Sequence, residues 1–178
     1  MFDTFFTFKL LQKNPKKDQG DFIAEYVFEF KTNKRRYIAI AEEYTHKIFV
    51  IKFYPAHRKN DDLRFNLVLN DYEFAPIIRT CINIMLWLLD KEPMASFGYL
   101  ASPTITKAYS ESKSFTQRYR IYEYALDAFI PSKNFKRIEN KNNSAVLLIN
   151  KKNRGIKKFA RNAIKMFIEY YPDLEQTI

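Results

Sequence analysis

The strongest constraint on this chain is a change of hydrophobic period near residue 70. Before it, apolar residues alternate with polar ones, and after it they lie all round a helix. In residues 22–30, Phe22, Ala24, Tyr26, Phe28 and Phe30 fall on one face at period two, which is a half-buried strand. A second strand is expected near Tyr37–Ala41 after the turn signal Thr32-Asn33-Lys34, and a third over 47–54, ended by Pro55. A polar connector from His57 to Asp62 leads to a fourth at Arg64–Leu69. From about Phe74 to Leu89 the apolar residues lie all round a helix, which predicts a central, covered one. Asn70 or Asp71 is placed to cap it, and Pro76 suits its first turn.

The remainder reads as a short strand over 94–101, an amphipathic helix over 115–130 stopped before Pro131, a closing hairpin at 135–139 and 145–150, and a last helix over 154–171. The expectation is a single α/β (α+β) domain over 1–178, with a mostly antiparallel central sheet of about seven strands and three main helices. At 178 residues, 47% of them hydrophobic, the chain can bury a core of that size.

Scarcity narrows the chemistry. Gly20, Gly98 and Gly155 are the only glycines, too scattered for a P-loop or a GxGxxG turn. One cysteine, Cys81, excludes a disulfide framework, and two histidines, His46 and His57, in neither an HxxxH nor an HxH pair leave no metal motif. A free thiol in a helix fits a reducing, cytoplasmic setting. The longest apolar stretch, 77–89, is interrupted by Arg79 and Asn83 and is shorter than the roughly 20 residues a membrane span needs, so no membrane partner is expected.

Charge is the positive signal. Between residues 133 and 165 stand Lys133, Lys136, Arg137, Lys141, Lys151, Lys152, Arg154, Lys157, Lys158, Arg161 and Lys165, against one acid, Glu139. That segment holds the equivalent of the whole formal net charge of +10. At ~100° per residue, Arg154, Lys157, Lys158, Arg161 and Lys165 form one stripe of the last helix, opposite Phe159, Ala163, Met166 and Phe167. Such a ridge attracts phosphates by counterion release, so nucleic acid is the expected partner, with Lys136, Arg137, Lys151 and Lys152 contributing. A partner protein is the competing use of the same face. A smaller cluster, Lys34-Arg35-Arg36, sits on a hairpin turn.

The order of elements, together with Arg118-Tyr119-Arg120-Ile121-Tyr122-Glu123-Tyr124, Asn134-Phe135 and Ala145-Val146-Leu147-Leu148-Ile149, resembles the core of the GCN5-related N-acetyltransferase (GNAT) fold over residues 22–150. The resemblance implies a fifth strand splayed from its neighbour, an acetyl-CoA cofactor, N-acyltransferase activity with an aminoacyl-tRNA as one conceivable substrate, and Tyr122 as general acid. It departs from the family where acetyl-CoA pyrophosphate would sit: residues 69–76 contain no glycine, two carboxylates at Asp71 and Glu73, and Pro76 without an N–H. Acetyl-CoA binding in the usual mode is therefore not expected, and nucleic-acid binding without a cofactor leads. Other candidates are Glu42 or Glu43 as a base and His57 as an anion contact. The pair Asp61-Asp62 lacks a third metal ligand.

Overall fold

The computed structural model describes residues 3–66, 73–105 and 108–172. One seven-stranded sheet runs through it, joined by three helices, an α+β architecture. In chain order the elements are β1 (Phe8–Pro15), β2 (Phe22–Lys31), β3 (Arg36–Tyr44), β4 (Ile48–Pro55), α1 (Phe74–Lys91), β5 (Ser96–Leu100), α2 (Gln117–Phe129), β6 (Phe135–Asn140), β7 (Ala145–Asn150) and α3 (Ile156–Tyr170). The strands lie in the order β1-β2-β3-β4-β5-β7-β6, antiparallel everywhere except β4 beside β5.

One of the seven strands is not the expected one. Residues 64–66 form turns, and the rest of the stretch expected as a strand, 67–69, lies outside the described residues. The cause is Asp61, whose carboxylate accepts from Leu63 N at 2.9 Å and whose carbonyl accepts from Arg64 N at 3.0 Å, curling the chain before it can extend. The missing strand is supplied by β1, an edge strand pairing with β2. Its sequence hides the strand because a bulge between Leu10 and Gln12 breaks the alternation, and most of its side chains stay exposed.

Alternation along the strands builds two cores. Phe49, Phe97, Val146 and Leu148 point to one side, where α1 and α2 cover them. Ile48, Val50, Leu147 and Ile149 point to the other, against Ala160, Ala163, Met166 and Phe167 of α3. Each such fully buried large side chain is worth about 1.5–3 kcal/mol in transfer from water.

Helix α1 is less covered than its composition predicts. Ile77, Ile78, Cys81, Ile82, Ile84 and Leu88 are buried, but Leu86 is exposed and Trp87 is half-buried, edge-on to Phe28 at 5.5 Å. The sheet and α2 cover only part of its circumference, and Lys91 lies over the outer side of the indole. The caps expected at Asn70 or Asp71 lie outside the described residues. Glu73 precedes the helix, and its carboxylate accepts from Asn33 N at 3.1 Å. Among the described residues no helix is long and apolar enough to cross a membrane.

The parallel pair is short, and this positions the site. Ile48, Phe49 and Val50 pair with Ser96, Phe97 and Gly98, after which the strands part. Ile51–Pro55 stay with β3, whereas Tyr99 and Leu100 stay with β7. Gly98 stands at the apex because a Cβ there would lie 3.3 Å from the Phe167 ring.

Candidate functional site

Two regions answer to the sequence candidates: the outer side of α3 and the cleft between β4 and β5. The first is built by amphipathicity alone. Gly155, at φ +63°, turns the chain from β7 into α3, and the buried side of the helix then fixes what faces outward. Arg154, Lys157, Lys158, Arg161 and Lys165 are all exposed, and among the described residues none forms an ion pair. Lys151 and Lys152 are exposed where β7 hands over to α3. With Lys133 they rim a groove of about 400 Å³ floored by Leu89, Phe135 and Asn150.

Strand alternation separates the two basic residues of β6. Lys136, paired in register with Ile149, shares the α3 side of the sheet and is exposed. Arg137 points the other way, toward α2, and ion-pairs with Asp127 at 2.7 Å, Glu123 at 3.3 Å and Glu139 at 2.6 Å. Its charge is spent inside the fold, apart from the ridge. The cluster Lys34-Arg35-Arg36 lies at the β2–β3 turn, at the opposite end of those strands from Tyr44, where α3 finishes. The ten residues of β2 put it about 30 Å from there, so it does not join the ridge.

The cleft opens where β4 and β5 part. Its walls are Lys52 and Phe53 on one strand side, Leu100 and Ala101 on the other, with Phe65, Arg118, Tyr122 and Tyr171 closing it, around a volume of about 180 Å³. Tyr122 reaches it from α2 and stacks on Tyr99 at 4.6 Å. Burial holds the Tyr122 phenol protonated well above its ordinary range, reinforced by the neighbouring Cys81. The Cys81 thiol itself is pushed up to about 12 by burial.

The cleft's ionic groups are engaged with one another. Glu42 on β3 stands opposite Val50, the last β4 residue paired with β5. Its carboxylate accepts from Lys52 Nζ at 2.7 Å, Tyr171 Oη at 2.6 Å and Tyr44 Oη at 3.0 Å. Lys52 Nζ also lies 4.7 Å from the centre of the Tyr171 ring. Burial first, then the Glu42 charge, raise both phenols above their usual range. Arg118 is 7% exposed, and its guanidinium donates to the Phe65 carbonyl. Asn66 Nδ2 donates to Pro103 O at 2.9 Å, so the connection after β4 is tied across the open end of the cleft.

The remaining candidates separate. Glu43 faces the opposite side of the sheet from Glu42, is 2% exposed, and is held by Lys47 at 2.9 Å and Tyr26 Oη at 3.1 Å. His57 is exposed in a helical turn after β4, and Asp61 is committed to its own turn. Among the described residues no group of three or more His, Cys, Asp or Glu is placed to hold a metal. Of the stretch 69–76, where the resemblance would put the acetyl-CoA pyrophosphate, residues 69–72 lie outside the described residues. Sequence reasoning missed Lys52, Tyr44 and Tyr171, which meet only through strand register and the return of α3. Comparison with protein-family models, with curated proteins and with solved structures finds no match to this chain.

Proposed function

We propose that this protein binds nucleic acid, as RNA or single strands, in an accessory or effector role. One observation carries the reading: four exposed cations, Lys157, Lys158, Arg161 and Lys165, line one side of α3, with exposed Arg154 just before the helix, and none has an ion-pair partner among the described residues. Unpaired, hydrated cations in a row can be handed to phosphates without loss of any internal contact, and their neutralisation releases counterions from the nucleic acid. Lys136, Lys151 and Lys152 extend the row. The test is a gel-shift titration at several salt concentrations with the parent and with a variant carrying Lys157, Lys158, Arg161 and Lys165 all changed to Ser. Loss of binding in the variant is the expected result. Equal binding at every salt concentration would reduce the ridge to a solvated face, and loss of a protein partner instead would favour assembly.

Acyl transfer is the second reading, on a separate observation: β4 and β5 part after three residue pairs and Tyr122 lines the gap. Under that reading Tyr122, protonated by burial, would donate to a thiolate leaving group. Against it stand Glu73 at the start of α1, where a pyrophosphate would want N–H groups, and the Arg118 and Asn66 ties across the cleft mouth. Calorimetry with acetyl-CoA should find no binding tighter than roughly millimolar, because carboxylate repels phosphate. A micromolar dissociation constant would reverse the order of the two readings.

A further inference from the structure

We propose that Phe115 is a stacking platform for an unpaired nucleobase, an inference that rests on the nucleic-acid reading and narrows its ligand to a single strand. Phe115 precedes α2, and 43% of it is exposed, although its ring also packs on buried Tyr119 at 5.6 Å. Its backbone sits at φ +52°, in the left-handed region that bulky residues avoid. The surrounding structure forces it there. Phe115 N donates to Lys141 O at 2.9 Å, and Thr116 N donates to the Ser144 hydroxyl at 2.9 Å, which in turn donates to Lys113 O at 2.8 Å. The Thr116 hydroxyl donates to Ala101 O at 3.1 Å, and Thr116 and Ser144 are both fully buried. Two chain segments are thus stapled together beneath a ring that remains at the surface. Strain of this kind persists only where the structure over-determines it, and it collects at ligand sites.

The charges around the ring say what the ligand is. The Arg120 guanidinium lies 5.8 Å and Lys141 Nζ 5.7 Å from its centre, and neither has an ion-pair partner among the described residues. The nearby carboxylate of Glu111 is committed to the N–H groups of Thr104 and Gln117, at 2.9 and 2.7 Å. Both cations lie over the ring as cation–π partners, and a base stacking there takes their place while they turn to its phosphate; single-strand sites combine these two elements. A duplex buries its base faces in its own stack and offers the ring nothing. The platform stands before the first residue of β7 and the basic residues of the ridge begin after its last, six residues or about 20 Å along the strand, with α2 on one side of the sheet and α3 on the other. A single strand within the usual footprint of about 4–16 nucleotides spans that distance.

The experiment compares the parent, Phe115→Leu and Phe115→Trp on a single-stranded oligouridylate and on duplex RNA of equal length, with the salt slope measured for each. The Leu variant should lose about 5- to 160-fold in affinity for the single strand, the range of one stacked base. Its salt slope and its duplex affinity should match the parent's, and the Trp variant should bind the single strand at least as well as the parent. In the Trp variant, oligouridylate should quench indole emission beyond any quenching of Trp87, the parent's one tryptophan. This readout stands even if the Leu variant does not fold. Unchanged single-strand affinity in the Leu variant, equal losses on both ligands, or no added quenching in the Trp variant would each overturn the platform. If the ridge variant still loses binding while Phe115→Leu does not, the platform falls and the nucleic-acid reading stands. A parent that binds neither RNA ends both.

Discussion

The outer side of α3 and the cleft between β4 and β5 are both charged, yet their charges are in opposite circumstances. On the helix, Lys157, Lys158, Arg161 and Lys165 are hydrated and unpaired among the described residues, so they contribute little to folding and remain available. In the cleft, Lys52 is engaged by Glu42, and Glu42 also accepts from Tyr44 and Tyr171. A ligand entering there must displace or match bonds the protein already makes to itself. One helix serves both regions: its side faces outward as the ridge, and Tyr171, just beyond its end, completes the cleft. The difference teaches that a count of charged residues says little about binding until their partners are known.

Breaking the ridge should give the largest effect. Changing Lys157, Lys158, Arg161 and Lys165 to Ser should lower the slope of log affinity against log salt by roughly 3 to 4 units. Thermal stability should stay nearly as in the parent, measured by circular dichroism, since exposed unpaired charges add little. A large drop in melting temperature would mean that these side chains are engaged in the fold.

The converse substitution, Glu42→Ala, should cost about 3 kcal/mol by urea unfolding, because Lys52 and two phenols lose their acceptor in a partly buried site. Its salt slope for nucleic acid should match the parent's. If stability and slope change together in either variant, the two regions are not separable.

Trp87→Ala should cost about 2 kcal/mol, less than the ~3–5 of a fully buried tryptophan, because the indole is half-buried against Phe28. Native emission should lie between that of buried and water-exposed indole. Fully blue-shifted emission would place another element over α1.

The smallest effect concerns alkali. Tyr44, Tyr122 and Tyr171 have folded-state pKa values raised by burial above the unfolded value of about 10. Their contribution is therefore complete below pH 10 and is lost as pH rises beyond it, when only the unfolded chain releases protons. Tyr171→Phe should lose about 1 kcal/mol at neutral pH and make the decline above pH 10 shallower, followed by urea midpoint against pH. An unchanged alkaline profile would remove Tyr171 from the set of groups that resist ionisation.

Much of this was legible in the residues. A period-two run located β2, apolar runs bounded by turn residues located β4, β6 and β7, and the spacing of Phe159, Ala163, Met166 and Phe167 already placed the exposed side of α3. The failures share one cause: local hydrogen bonding or strand register overrode the pattern. Asp61 turned the 64–66 stretch, a bulge disguised β1, and β3 ran past Ala41 to Tyr44, putting the left-handed turn at His46 and Lys47. Arg137 counted as ridge charge by composition, whereas its place on β6 turns it to three carboxylates.

By itself the sequence determined the α+β class, the amphipathic last helix and the concentration of positive charge upon it, because periodicity and composition are local and additive along the chain. Only the tertiary structure decided which of those charges stay unpaired, that β4 and β5 part after Val50 and Gly98, and that Glu42, Lys52 and Tyr171 meet although Glu42 and Tyr171 are 129 residues apart. Pairing across such separations depends on register and on which face each residue takes. A shift of one position in a strand exchanges every side chain between the two sides of the sheet, and no local pattern records that choice.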